Sequence, residues 1–557
     1  MNFRKKIANI ATCMKTQTID GGIYRQMVLL AASKLDANRK LVNDLNVFPI
    51  PDGDTGDNMF MTINSGCVSA ARTNLANISE VSSAVSSGML LGARGNSGVI
   101  LSRIFAGLAK GLSGKDAADL ADWKEAVRSA VSEAYGAVAV PVEGTMLTVL
   151  KDAVTAAAGS DADDFQGYFA ALVDESQKSL ERTPELLDVL RNAGVVDSGG
   201  AGLLYIFQGM KAAVDGETLE SPSAGGTAPE PQSADLDAFT EDSVLEYGYC
   251  TEFLLRLQNS KVDVNSFDES VIRHYLEGAG DSLVFFRDGS IIKVHVHTRT
   301  PGDILNTCQQ WGEYLTIKIE NMTLQHHENH MEHLAAPKGP RRAQGIVTVA
   351  SGDGLVKLFS DMGAQVIEGG QTMNPSTQDF LQAFDMVNAG RIFVLPNNSN
   401  IIMTAQQAAS IYDKSEVIVL PSRTIGGGYC VLGSVDFASG TAQEIEAQAQ
   451  TVLDGVVTGM ISKATRTTDQ AAEGDFIGFT GKEEILVSSP DRSEAVAGLC
   501  GRMGASDYDV ILIVKGRDVP ESEANELYEK VQAAYRRSEI VLVDGGQPVY
   551  DYIMVFE

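Results

Sequence analysis

The sequence predicts three folded parts in series: an all-α bundle, a small α+β domain and an α/β domain. Three observations carry that reading. Apolar residues recur at helical spacing from Ile19 to about Asp215. A stretch rich in Pro, Gly, Ser and acids then interrupts the chain from 215 to 243. After 337, short β-rich apolar runs alternate with helical stretches. The expected boundaries are 1–214 for the bundle, 215–243 for a linker, 244–336 for the α+β domain and 337–557 for the last.

In the first part, "GGIYRQMVLLAASKLDANRKLVNDL", "DWKEAVRSAVSEAYGAVAV" and "DFQGYFAALVDESQKSL" each place apolar residues on one helical face. Short Gly-rich or Asp-rich joints separate them, as in a bundle of helices. The linker holds few large apolar residues and no binding motif. In the middle part, "YCTEFLLRLQ" and "SLVFFRDGSIIKVHVHTRT" predict strands, the second pair turning at Asp288-Gly289. "PGDILNTCQQWGEYL" predicts a helix opened by Pro301. In the last part "GIVTVASG", "RIFVLPN", "EVIVLPS" and "VILIVKG" predict strands, with helices such as "IIMTAQQAASIYD" between them. That alternation implies a parallel or mixed sheet.

Composition narrows the function classes. With 557 residues, 44% of them hydrophobic, the chain can bury several cores without staples. Lys and Arg total 44 against 73 Asp and Glu, a net charge of −29. Such a surface repels phosphate backbones and anionic lipid heads, which argues against a nucleic-acid or membrane-surface role. The six cysteines are scattered, with no CxxC pair, so a disulfide framework is not expected. The opening "MNFRKKIANIATCMKTQTIDGG" lacks the apolar core of a signal peptide, and no run is long enough to span a membrane. The expectation is a cytoplasmic protein with no integral membrane segment.

The chemistry concentrates in "LNVFPIPDGDTGDNMFMTINSG", where Asp52, Asp54 and Asp57 stand within six residues. Carboxylates on a tight turn suit a hard cation such as Mg²⁺. Asp and Gly are also ordinary turn and capping residues, which is the simpler reading of the same letters. "GMLLGARGNSGVILSRIFAG" adds Gly92, Gly95 and Gly98 with Asn96 and Ser97 before an apolar helix. A Gly-rich turn at a helix N-terminus offers free N–H groups to a phosphate, although no Walker Lys follows. "RNAGVVDSGGAGLLYIFQG" repeats the theme with Asp197, Ser198, Gly199 and Gly200. "PVEGTMLTVLKDA" offers Thr145 and Met146 at a further helix start. Together they suggest one Mg²⁺–nucleotide site at an end of the bundle.

These motifs resemble the nucleotide-binding domain of dihydroxyacetone kinases (DhaL-like). They are closer still to the ATP-binding component of bacterial fatty acid kinase, FakA. "KVHVHTRTPGDIL" resembles that family's middle domain. "SGDGLVKLF", "EGGQTMNPSTQDF" and "LPNNSNII" resemble its DegV-like C-terminal domain. The resemblance implies a barrel of antiparallel helices that binds ATP through Mg²⁺ at one end. It implies Asp52 and Asp54 as catalytic metal ligands. Asn58, Gly95, Asn96, Ser97 and Gly98 would lie at the phosphates, and Thr145, Met146, Asp197, Ser198 and Gly199 would hold the nucleotide. The family's reaction moves the γ-phosphoryl of ATP to a fatty acid carboxylate held by a separate DegV-type carrier, FakB. The resemblance also implies a homodimer.

Two departures stand out. Dihydroxyacetone kinases carry a further Asp five residues before the DxD pair, where this chain has Val47. Asn46 is the nearest oxygen donor and the expected substitute, with Asp44 as a rival. Fatty acid kinases read Gly-Thr-Asn-Met where this chain has Gly56-Asp57-Asn58-Met59. Asp57 is then either an extra ligand or, as preferred here, an acid favoured by the helix dipole. A carboxylate acceptor is already ionised near neutral pH, so no strong general base is needed. Positioning and charge neutralisation would carry the rate, with Arg94 a candidate stabiliser of the transferring charge.

His295 and His297 flank Val296 on a predicted strand and share one face. Spacing alone leaves them ordinary strand residues. The resemblance adds Cys250 to them as a structural Zn²⁺ site whose fourth ligand is unknown. Two other function classes stay open on the sequence: a dihydroxyacetone-type kinase of a small hydroxylated substrate, and a non-catalytic nucleotide-sensing scaffold.

Overall fold

The computed structural model describes residues 16–45, 53–71, 77–218, 249–264, 266–288, 290–321, 341–370, 373–480 and 485–557. The helical bundle and the C-terminal α/β domain form one compact unit, and the middle domain forms a second.

The bundle contains α1 (Gly21–Ala37), α2 (Arg39–Asp44), α3 (Thr55–Ala71), α4 (Ile78–Gly92), α5 (Gly95–Gly111), α6 (Leu120–Gly136), α7 (Met146–Gly159), α8 (Phe165–Leu186), α9 (Asp188–Ala193) and α10 (Ser198–Val214). The first long periodic stretch is thus two helices, broken at Asn38. Local capping fixes most starts. Asp20, Asn77, Thr145, Asp164 and Asp197 each accept a backbone N–H from the first turn, and Asp119 with Asp122 closes a reciprocal box. The long helices pack in a closed ring, α1–α3–α4–α5–α6–α7–α8–α10 and back to α1. Inside it Trp123 meets the rings of Tyr24, Phe165 and Phe169. The apolar interior leaves a cavity of about 20 Å³ beside Trp123, room for one water at most. One seam of the ring depends on glycine. A Cβ on Gly107 would stand 2.4 Å from the Ala130 backbone, so α5 and α6 approach as closely as they do only because it has none. A two-residue ladder, β1 (Ile19–Asp20) with β2 (Ala117–Ala118), ties the start of α1 to the loop before α6.

The middle domain is a four-stranded antiparallel sheet in the order β4-β5-β3-β6. Its strands are β3 (Tyr249–Leu257), β4 (Asp281–Asp288), β5 (Ile291–Thr298) and β6 (Gly312–Asn321), with α11 (Ser270–Ala279) and α12 (Pro301–Cys308). β4 and β5 pair antiparallel up to Asp288 and Ile291, on either side of the expected turn, whose Gly289 lies outside the described residues. The helix opened by Pro301 is shorter than the sequence suggested, because it stops at Cys308 and Gly312 to Leu315 join the sheet. There the β6 backbone runs so close to β3 that a Cβ on Gly312 would sit 2.2 Å from the Arg256 carbonyl. Tertiary pairing overrides the local helical pattern.

The C-terminal domain has two sheets. The first is parallel, in the order β10-β9-β7-β8. It uses β7 (Arg342–Ala350), β8 (Gln365–Glu368), β9 (Ala389–Leu395) and β10 (Glu416–Val419), connected by α13 (Asp353–Asp361), α14 (Thr377–Val387) and α15 (Ile402–Ile411). The second is mixed, with six strands and only β14 (Val510–Lys515) and β15 (Glu539–Asp544) parallel. The "LPNNSN" motif has a structural job. Asn397, at φ 58, donates to Thr348 Oγ1 at 2.8 Å and to the Val349 carbonyl at 2.9 Å, and accepts from Ser422 Oγ at 2.8 Å. Such a satisfied buried network fixes the ends of neighbouring strands.

Candidate functional site

Helix α3 begins directly after the Asp-rich turn. Asn43 on α2 seats that start, since its Oδ1 accepts the Gly56 N–H at 2.7 Å. Its Nδ2 donates to Asp57 Oδ2 at 2.7 Å. Asp57 also pairs with Arg39 Nη1 at 3.4 Å. It is therefore a first-turn helix acid with its charge already matched, as preferred from the sequence. Asp54 is different. It is half-buried, and among the described residues no Lys or Arg pairs with it. Burial pushes its carboxyl up to about 6, with the Asn58 and Asn374 amides pulling back and the neighbouring Asp57 charge adding to the rise.

The glycine-rich turn meets this acid from α5. Gly95 has φ +58, and a Cβ there would lie 2.5 Å from Asn58 Nδ2. The site thus needs glycine twice over, for the left-handed backbone and for the close approach. The buried Asn58 is held through its turn: Thr62 Oγ1 donates to the Asn58 carbonyl at 2.6 Å and accepts the Arg94 N–H at 3.3 Å. Gly98 packs against the same Thr62, where a Cβ would come within 2.4 Å. The N–H groups of Gly95, Asn96 and Ser97 open α5 and have no carbonyl of their own helix to reach. Among the described residues the buried Asn96 Oδ1 has no hydrogen-bond partner.

Two more helix mouths adjoin. Ser198 Oγ, at the start of α10, donates to Thr55 Oγ1 at 3.3 Å. Asp197 accepts the Gly200 N–H at 2.7 Å and a backbone bond from Met146, the first residue of α7. Burial pushes the Asp197 carboxyl up to about 6 against those two bonds. Thr145 Oγ1 donates to the Val142 carbonyl at 2.8 Å and caps α7, while Met146 and Gly199 are buried. So the N-termini of α3, α5, α7 and α10 form a chain of contacts at one end of the bundle, each with the positive end of its helix dipole there. Such a mouth can hold a polyphosphate, with Asp54 as oxygen ligand for its cation.

Comparison with known proteins agrees with this architecture. The DAK2 domain model matches residues 49–212, the FakA-like (fatty acid kinase) middle domain matches 246–329, and the FakA-like C-terminal domain matches 345–557. Protein YloV of Bacillus subtilis is 40% identical over 98% of this chain and 100% of its own length. The chain belongs to the FakA-like fatty acid kinase family. An uncharacterized Staphylococcus epidermidis protein is 37% identical over 97% of this chain and 99% of its own. Among solved structures, the fatty acid binding protein DegV of Bacillus subtilis aligns with 39% of this chain and all of its own, at 11% identity and a TM-score of 0.32. The DAK2 and FakA-like domains mark a kinase, which implies ATP.

The remaining sequence-predicted residues fall elsewhere. Asn46 and Asp52 lie outside the described residues. In the middle domain, the backbone register sets Cys250 on β3 opposite His297 on β5, with His295 opposite Glu252. The side chains of Cys250, His295 and His297 lie outside the described residues. Among the described residues no cluster of three or more His, Cys, Asp or Glu could hold a metal. No described helix is long and apolar enough to cross a membrane.

Arg94 turns toward the α/β domain. Its Nη1 donates to the Asn374 carbonyl at 2.7 Å and lies 3.6 Å from Asp379. Sequence reasoning missed Asn374 as a site residue. The signal available was "EGGQTMNPSTQDF", which the sequence offers only as a stretch resembling the DegV-like domain.

Proposed function

We propose that this chain is the ATP-binding catalytic component of a two-component fatty acid kinase. It would transfer the γ-phosphoryl of ATP to a fatty acid carboxylate presented by a DegV-type carrier of the FakB kind, giving an acyl phosphate. The observation that carries the reading is the carboxylate of Asp54, which has no Lys or Arg partner among the described residues and lies beside the starts of α3 and α5. The Asp54 carboxylate is an oxygen donor of the kind Mg²⁺ takes. Asp52 and Asn46 complete the proposed ligand set. When bound, Mg²⁺ neutralises charge on the phosphates.

The chain's own groups supply the rest. The N–H groups of Gly95, Asn96 and Ser97, with Gly98 and Asn58 behind them, orient the phosphates. Thr145, Met146, Asp197, Ser198 and Gly199 shape the adjoining wall. A carboxylate oxygen attacks the γ-phosphorus in line, the bond to the β-phosphate oxygen breaks, and ADP leaves with that electron pair. The acceptor carries no proton to remove, which fits a site where no described histidine stands as a base. Arg94 is proposed to steady the site from its edge.

The reading includes domain boundaries at 214, 243 and 336, a homodimer and a cytoplasmic location. It also includes a structural Zn²⁺ held by Cys250, His295 and His297, which their register across β3 and β5 supports. Zinc content should fall by about one ion per chain in Cys250→Ala and in His295→Ala. Unchanged zinc in both would remove that site. The decisive assay is ATP-dependent acyl-phosphate formation with a panel of DegV-type carriers. Product should appear only with a carrier and vanish in Asp54→Ala at preserved fold. Full activity on free fatty acid without a carrier would defeat the two-component reading.

A further inference from the structure

We propose that Asn374, carried by the C-terminal α/β domain, is a positioning residue of the metal–nucleotide site, its side-chain amide fixing one oxygen of Asp54 so that the other is presented to the cation. The proposal rests on the reading of Asp54 as a metal ligand.

Asn374 is 320 residues from Asp54 in the chain, yet its Nδ2 donates to Asp54 Oδ2 at 2.6 Å. The same nitrogen lies 3.4 Å from Asn58 Oδ1. Asn374 is 1% exposed, and an amide so buried is costly unless it is bonded. Among the described residues its own buried Oδ1 has no partner.

The residue is firmly seated. Arg94 Nη1 grips its carbonyl from the bundle side. Arg94 and Ser376 form a single antiparallel bridge, and the Thr377 N–H donates to the Ala93 carbonyl at 3.2 Å. Ser376 and Asp379 close a capping box that starts α14 immediately afterwards. On α15, Gln407 Nε2 donates to the Leu90 carbonyl at 2.9 Å and lies 3.1 Å from Thr377 Oγ1. The α/β domain therefore touches the bundle at the joint between α4 and α5, where the phosphate turn begins.

The chemistry of the contact separates positioning from neutralisation. A lysine or arginine on Asp54 would cancel the charge a cation needs, as Arg39 does for Asp57. An amide donor leaves the carboxylate anionic and removes its freedom to rotate. A carboxylate has two oxygens and about four lone-pair directions, so one oxygen can accept from Asn374 while the other binds metal. Hydrogen-bonded partners of this kind orient metal-binding carboxylates, and losing one typically costs ten- to a hundredfold in metal affinity. The nucleotide site then spans two domains.

The test is a Mg²⁺ titration of fluorescent ATP-analogue binding to the full chain. Asn374→Ala should raise the Mg²⁺ concentration for half-saturation about tenfold or more. Its nucleotide affinity in excess chelator should match that of the unaltered protein. Gln407→Ala loosens the same seat without touching Asp54 and should shift the Mg²⁺ midpoint less than about twofold. Melting curves of both variants establish that they fold. An unchanged midpoint in Asn374→Ala overturns the proposal. So does a lower midpoint, which would mean that Asn374 occludes Asp54. An equal shift in Gln407→Ala also overturns it, since docking alone would then account for the effect. If the unaltered protein binds nucleotide without any Mg²⁺ dependence, the reading of Asp54 as a ligand fails, and the proposal with it.

Discussion

A carboxylate kept for a cation should cost stability while the cation is absent, and Asp54→Asn measures that cost. Burial moves the Asp54 carboxyl from its ordinary 3.8 up to about 6. The difference corresponds to about 3 kcal/mol. The folded state keeps this proton to higher pH than the unfolded chain does, so between about pH 4 and pH 6 the native form binds more protons. Stability therefore falls as pH rises through that window, and the full penalty is present above it. In chelator, Asp54→Asn should be more stable than the unaltered protein near pH 8 by up to about 3 kcal/mol. For a domain of this size that is roughly 6–12 °C in melting temperature. Near pH 5 the gain should shrink to about half, because the native acid is then largely protonated. Chemical denaturation at the two pH values reads the difference directly. Mg²⁺ with ATP should restore stability to the unaltered protein through ligand linkage and do nothing for the variant. A variant no more stable near pH 8, or stabilised equally at both pH values, would refute the assignment of Asp54 as the site's strained charge.

The other acids and glycines of the site give sharper contrasts. Asp57→Ala should lower stability by about 0.5–1 kcal/mol, through loss of the Arg39 pair and the helix-start charge. It should leave the Mg²⁺ midpoint for nucleotide binding within about twofold, and a tenfold shift would make Asp57 a ligand after all. Gly95→Ala forces a side chain into left-handed backbone and toward Asn58 Nδ2. It should cost about 1–3 kcal/mol in a denaturation midpoint and weaken nucleotide binding at any Mg²⁺ concentration. Unimpaired binding there would detach the phosphate turn from the site.

Much of this protein is written locally. The helix starts at Asp119, Asp164 and Asp197 follow from short polar side chains three residues ahead of free N–H groups, and a sequence shows that spacing. The hairpin before His295 and the alternation of strands and helices after Arg342 follow likewise from periods of two and 3.6 residues. Asp57 could be read as a helix acid because the helix dipole acts within one turn. Where local pattern and long-range pairing disagreed, pairing prevailed. Gly312 to Leu315 have a helical pattern and lie in a strand because β3 offers a ladder there. The difference between Asp54 and Asp57 needed more. Arg39 and Asn43 reach Asp57 from a neighbouring helix, and Asn374 reaches Asp54 from another domain. Nothing in the letters "DGDTGD" encodes those partners, because desolvation and hydrogen bonding are set by what the fold brings up from far along the chain. The sequence alone determined the fold classes, the acidic turn and the glycines beside it. Tertiary packing decided which acid keeps an unmatched charge, and that the α/β domain helps to hold it.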